Sequence, residues 1–403
     1  MGTSGLSEPR LRRLHDVMAG HIANGMLPGA ITLVSRHGET HVDVIGTMDT
    51  DGDRPMRRDA VFRISSMSKP IVAVAAMILV EECRLRLDDP VDPVLPELAD
   101  RKVLVALDGP VDETVPARRP ITLRDLLTFR NGFGMLLGSP DTYPILRAGQ
   151  ERGVLTGPPA PAETLPPDEW LRRLGELPLM AQPGEKWLYN TGSDILGVLI
   201  ARVTGQPLEA FLRERIFQPL GMRDTGFSVP ESAHERLPTS YLADPVTKGI
   251  SLYDAPGAAS QWSKPPAFQS GAGGMVSTVD DYHAFASMLL HRGRHGQERI
   301  LSRPTVQAMI TDQLSPAQKA VSGFFPGYFD AMGWGFGMAV ITGRDDVYRV
   351  PGRFGWDGGL GTAWWSDPTE DLTGIMLTQR AEFHPFSHPY LDFWTSVYQA
   401  IDD

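Results

Sequence analysis

The chain has a single cysteine, Cys83, in 403 residues. That excludes an internal disulfide and any zinc site built from several thiolates. Lysine is scarce too, at six residues: Lys69, Lys102, Lys186, Lys248, Lys264 and Lys319. The formal net charge is −11, so the basic face that a nucleic acid or an anionic membrane requires is not expected. No apolar run approaches the roughly 20 residues that span a bilayer. Residues 1–24 lack the apolar core of a signal peptide; Leu11, Leu14, Met18 and Ile22 fall at helical spacing there instead. The expectation is a soluble, cytoplasmic protein. Gly-x-Ser-x-Gly, Gly-x-x-x-x-Gly-Lys and His-Glu-x-x-His are all absent, which sets aside an α/β-hydrolase elbow, a phosphate loop and a zincin helix. His291 and His295 are interrupted by Gly293 and two arginines and read as a solvated turn.

The length exceeds what one simple core organises, so two domains or one domain with an insertion are expected. An amphipathic helix is predicted over 7–24. Strand-like runs at 30–35 and 40–45 meet at Arg36-His37-Gly38-Glu39, a hairpin turn. A short strand at 60–64 leads into an apolar helix, at whose end Cys83 reads as a small core residue. From about residue 90, Pro-rich loops separate short helices. Two of these open on a Thr-x-x-Asp box, Thr122 with Asp125 and Thr278 with Asp281; helical spacing also covers 193–203 and 207–218. Strand patterns return at 335–341, 361–365 and 372–377, before a final amphipathic helix over 390–401. The predicted class is α+β, with one antiparallel sheet built from both ends of the chain and flanked by terminal helices. Residues 1–95 and 270–403 would form this sheet domain, and 96–269 an inserted, mostly helical one.

The residues richest in chemistry are Ser66-Met67-Ser68-Lys69, at the head of the apolar run that continues through Val80. In a helix, Ser66 and Lys69 share one face, one turn apart. The helix start adds free N–H groups and a positive dipole end. A nucleophile, a basic group and an anion site would then be neighbours. The plainer alternative is a helix-capping serine and a lysine that snorkels to solvent. A third polar group is needed to manage the proton, and Tyr189, after Pro183-Gly184 and before a helix, is the best placed. Phe354-Gly355-Trp356-Asp357-Gly358-Gly359 offers close approach and exposed backbone N–H groups beside a strand. The Gly-rich stretch 270–275 reads as a close packing contact.

Taken in order, these segments resemble the serine β-lactamase and penicillin-binding-protein-like superfamily, and within it the class C-like branch that includes esterases, D-aminopeptidases and statin-type acyltransferases. The likeness also takes in Ile121-Thr122-Leu123-Arg124-Asp125-Leu126-Leu127-Thr128, Pro219-Leu220-Gly221-Met222-Arg223-Asp224-Thr225 and 273–278. It implies that Ser66 is the acylated nucleophile, Lys69 its partner and Tyr189 the motif tyrosine. The N–H groups of Ser66 and Gly359 would form the oxyanion hole. Trp356-Asp357-Gly358 falls on the edge-strand motif that reads Lys-Thr-Gly in β-lactamases, and either Thr191 or Asn190 fills the asparagine place of Tyr-x-Asn. Because neutral Trp356 stands where β-lactamases keep a cation, the resemblance points to a serine esterase acting on a small-molecule ester or amide, without cofactor or metal. A β-lactamase or D-peptidase of the same fold is the alternative, and a non-catalytic ligand sensor the alternative of another class. Whether Lys69 or Tyr189 takes the Ser66 proton is left open by the residues alone.

Overall fold

The computed structural model describes residues 4–155, 157–244, 249–381 and 387–403; Lys248 lies outside the described residues. Among these, seven strands form one antiparallel sheet. Five come from the C-terminal part of the chain, in the order Met332–Trp334, Ala339–Ile341, Phe354–Gly358, Thr362–Asp367 and Leu372–Thr378. The N-terminal hairpin, Gly29–Arg36 and Glu39–Gly46, completes it, with Ala30 opposite Thr378 and Arg36 opposite Leu372. The turn falls at His37-Gly38, where both residues have positive φ (50° and 81°), as a tight hairpin between right-twisted strands requires.

Strand alternation divides the molecule into two apolar layers. Ile31, Leu33, Trp364, Ile375 and Leu377 face one, together with the helix Ser68–Glu81. Ala30, Val34, Ala363, Trp365 and Met376 face the other, against Leu14 and Met18 of the helix Glu8–Ala23 and Phe393, Trp394 and Val397 of the helix His388–Gln399. Each fully buried Val, Leu, Ile, Phe or Met among them contributes about 1.5–3 kcal/mol, so the sheet is held from both sides. The helix Ser68–Glu81 is apolar around its whole circumference and is buried from Ser68 to Leu79, as such a helix must be.

Several boundaries differ from expectation for physical reasons. Cys83 is exposed rather than in the core: the helix has ended, and Cys83 turns away from it with φ 58°. The run 335–341 is two things, a turn closed by Gly335 N–H to Met338 O and then the strand Ala339–Ile341. The strand before Ser66 is only Phe62–Arg63 and pairs with Val276–Ser277, outside the main sheet. The second long helical run is a short helix, Leu208–Leu212, continued by a π-turn over Arg213–Phe217. The capping box at Thr122 and Asp125 closes on both sides. At Thr278 only the threonine caps; Asp281 instead accepts from the Asp224 N–H and the Thr225 hydroxyl.

Candidate active site

Ser66 does not sit in the α-helix proper. It lies in a 3₁₀ turn, Ser65–Met67, that feeds the helix, and Ser65 enters it with φ 47°. Lys69 follows three residues after Ser66, in the first turn of the α-helix. Several contacts hold this strained entry. The Ser68 hydroxyl donates to Ser65 O at 2.7 Å and accepts from the Met275 N–H at 3.2 Å, and the Tyr282 hydroxyl donates to Met67 O at 2.9 Å. Just upstream, buried Arg63 donates through Nε to Asp254 Oδ2 at 2.7 Å and through Nη1 to Pro238 O at 2.7 Å.

Lys69 is fully buried, so the snorkelling alternative is overturned. Its Nζ lies 2.8 Å from Ser66 Oγ and 2.5 Å from Ala272 O, and 4.5 Å from the centre of the Tyr189 ring. Burial penalises the ammonium and lowers its pKa to about 7, with the Asp194 carboxylate acting in the opposite direction. Tyr189 is moved the other way: burial holds its hydroxyl protonated well above the ordinary range, although hydrogen bonds with Ser66 and Trp356 oppose this.

The strand Phe354–Gly358 brings the remaining residues to Ser66. The Trp356 indole N–H donates to Tyr189 Oη at 2.6 Å, a contact that nothing in the local sequence announces. Gly358 is where two backbones meet: a Cβ there would lie 2.2 Å from both Ile64 O and Thr362 Oγ1. Thr362 in turn donates to Ile64 O at 3.2 Å. Gly359, the next residue, lines the same cavity as Ser66, with open space where its side chain would be. Asp357 is braced by Trp365 Nε1 on Oδ1 (2.9 Å) and by the Tyr390 hydroxyl on Oδ2 (3.1 Å).

Tyr189 is fixed from behind by Phe129, Trp187, Phe324 and Trp334, with the Trp187 ring stacked on it at 5.5 Å. Its carbonyl accepts from the Met135 N–H at 2.7 Å. Asn190 follows with φ 87° and ψ −67°, a sparsely populated conformation of the kind that clusters at functional sites. Both Asn190 and Thr191 line the cavity. Asp194, which motif reading passed over, lies on the same helix Thr191–Thr204 and accepts from Ser270 Oγ at 2.7 Å and from the Ala272 N–H at 3.0 Å. Its only sequence signal was its place five residues after Tyr189.

Ser66, Tyr189, Asp194, Trp356, Asp357 and Gly359 open on one cavity of about 810 Å³. On one side its wall is apolar and comes from the helical middle of the chain, including Leu146, Val154, Trp170 and Phe268. On the other it comes from Phe324, Phe325, Tyr328 and Met332.

A model of the Beta-lactamase family matches residues 14–393. Protein Rv1367c of Mycobacterium tuberculosis is 39% identical over 363 residues, covering 88% of this chain and 86% of the relative. Esterase EstB of Burkholderia gladioli is 31% identical over 388 residues, covering 92% and 90%. Among solved structures, EstCE1, described as a hydrolase with promiscuous acyltransferase activity, superposes with a TM-score of 0.76 at 27% identity over 98% of each chain. The chain belongs to the Beta-lactamase family, as one of its serine hydrolases.

Proposed function

We propose that the protein cleaves carboxylic esters, or passes their acyl groups to another alcohol, through an acyl-enzyme on Ser66. The observation that carries this is the buried Lys69 Nζ at 2.8 Å from Ser66 Oγ. A buried amine with a pKa near 7 is partly neutral at neutral pH, so Lys69 takes the Ser66 proton. Tyr189, protonated in the same environment, is the acid. As the Ser66 Oγ–carbon bond forms, negative charge moves onto the carbonyl oxygen, and the N–H groups of Ser66 and Gly359 receive it. Each such donor is worth about 2.7–4 kcal/mol in related chemistry. When the alkoxy bond breaks, the Tyr189 hydroxyl gives its proton to the departing alkoxide and recovers one from the Lys69 ammonium. Water or a second alcohol then attacks the acyl-enzyme by the reverse proton path.

Esters are favoured over β-lactams because of Trp356. A cation at that strand position would grip a substrate carboxylate through charged hydrogen bonds, whereas the indole is neutral and its N–H is spent on Tyr189. The name of EstB and the description of EstCE1 agree with ester chemistry. In this reading residues 96–269 are an inserted domain whose apolar side chains, Leu146, Val154 and Trp170 among them, receive one half of an ester with apolar groups. The test compares p-nitrophenyl butyrate with nitrocefin. Faster turnover of the ester, abolished in Ser66→Ala, is expected; full ester hydrolysis by Ser66→Ala, or faster turnover of nitrocefin, contradicts the proposal.

A further inference from the structure

Asp194 is a buried carboxylate with no part in the proton path just described, yet it touches the segment that holds Lys69. It projects from the helix Thr191–Thr204, close behind the Tyr189 loop. Its Oδ1 accepts from the Ser270 hydroxyl and from the Ala272 N–H. The carbonyl of that same Ala272 accepts from Lys69 Nζ at 2.5 Å. One residue of a Gly-rich segment is thus held by its N–H to an acid and by its C=O to the amine beside Ser66. Gly271 leaves little latitude in this arrangement, since a Cβ there would lie 2.5 Å from Ser193 O.

We infer that Asp194 is a positioning residue for Lys69: by holding the Ala272 N–H it fixes the carbonyl of that residue, which aims the amine at Ser66.

The groups around the amine come from four elements. Ser66 lies on the same turn, Tyr189 on the loop before the helix, Ala272 and Ser270 on the Gly-rich segment, and Asp194 on the helix itself. Asp357, from the strand, acts on Tyr189. Asp194 is the group whose charge favours the protonated amine against the cost of burial. Burial likewise pushes the Asp194 carboxyl above the usual range, with Ser270, Ala272 and the lysine charge restraining it. The two groups therefore titrate as a pair, and removing the acid makes the amine easier to deprotonate.

The inference rests on the Ser66–Lys69 reading, and the experiment separates the two. The rate at which p-nitrophenyl butyrate acylates Ser66 is followed across pH 5.5–9 by stopped-flow release of p-nitrophenol, in the wild type, Asp194→Asn and Asp194→Ala, with thermal melts to confirm folding. Asn keeps an oxygen for Ser270 and Ala272 but removes the charge; Ala removes both. The expected result is a rising limb that moves to lower pH in Asp194→Asn by about one unit, the scale of one nearby opposite charge. Asp194→Ala should also lose roughly 10- to 100-fold at the plateau, as misplaced catalytic groups do. If wild-type Ser66 is never acylated, the ester reading itself fails. If Ser66 is acylated and both folded variants keep the wild-type pH profile and plateau, the ester reading stands and the role of Asp194 is overturned. Should neither variant fold, Ser270→Ala, which removes one hydroxyl from the carboxylate, replaces them. An unshifted profile in that variant overturns the inference, and a shifted one supports it.

Discussion

Trp356 donates its indole N–H to the Tyr189 hydroxyl at 2.6 Å. The hydroxyl can accept this bond and still point its own proton toward the reacting centre. An aromatic residue at this position of the strand is therefore a polar partner of the motif tyrosine as well as part of the cavity wall. Trp356→Phe keeps the ring and removes the donor. A hydrogen bond of about 1–1.5 kcal/mol net corresponds to a roughly tenfold fall in kcat, with KM nearly unchanged. Steady-state kinetics on p-nitrophenyl butyrate check this, and an unchanged kcat would show that the bond does not orient Tyr189.

The two adjacent glycines should respond oppositely to alanine. At Gly358 the new methyl meets Ile64 O and Thr362 Oγ1 at 2.2 Å, while at Gly359 nothing lies within 4 Å. Gly358→Ala is expected to lose about 1–3 kcal/mol, the usual cost of overpacking, together with most activity, because the strand is pushed away from Ser66. Gly359→Ala should melt like the wild type. Thermal or urea unfolding of the two variants decides it; equal stabilities would mean that the contact at Gly358 does not set the strand position.

Lys69 imposes a pH-dependent cost on the fold. In the unfolded chain its amine holds a proton up to the ordinary value of 10.5, whereas the folded protein releases it at about 7. Between those values the unfolded state binds more protons, so stability rises with pH. Below about pH 7 the cost of the buried ammonium is fully present. Lys69→Met removes the charge and should be inactive, more stable than the wild type at pH 6–7, and lacking this contribution to the slope. Urea unfolding at pH 6.5 and 9 measures the difference; a gap between the two proteins that widens with pH would have the wrong sign.

Much of the architecture was legible because local pattern and tertiary structure agree. The hairpin turn at His37-Gly38, the apolar run after Lys69 and the terminal amphipathic helices all carry periodicity that only one fold satisfies. The Ser66–Lys69 pair was legible because both residues lie within one turn. What stayed hidden depends on contacts between distant segments. The 3₁₀ entry at Ser65 is imposed by Met275 and Tyr282, more than 200 residues away in the chain. The Trp356–Tyr189 bond spans 167 residues, and Asp194 acquires meaning only beside Ala272. Cys83 misled because an apolar run does not reveal where its helix emerges into solvent.

The acyl-enzyme itself gives the most direct test. The protein is mixed with p-nitrophenyl butyrate, quenched in acid within the first turnovers and digested, and the peptide containing Ser66 is weighed by mass spectrometry. The account predicts a burst of p-nitrophenol matched by a butyryl mass increment on Ser66, absent in Ser66→Ala and greatly slowed in Lys69→Met. Ester turnover with the increment on another residue, or with full activity retained in Ser66→Ala, would contradict it.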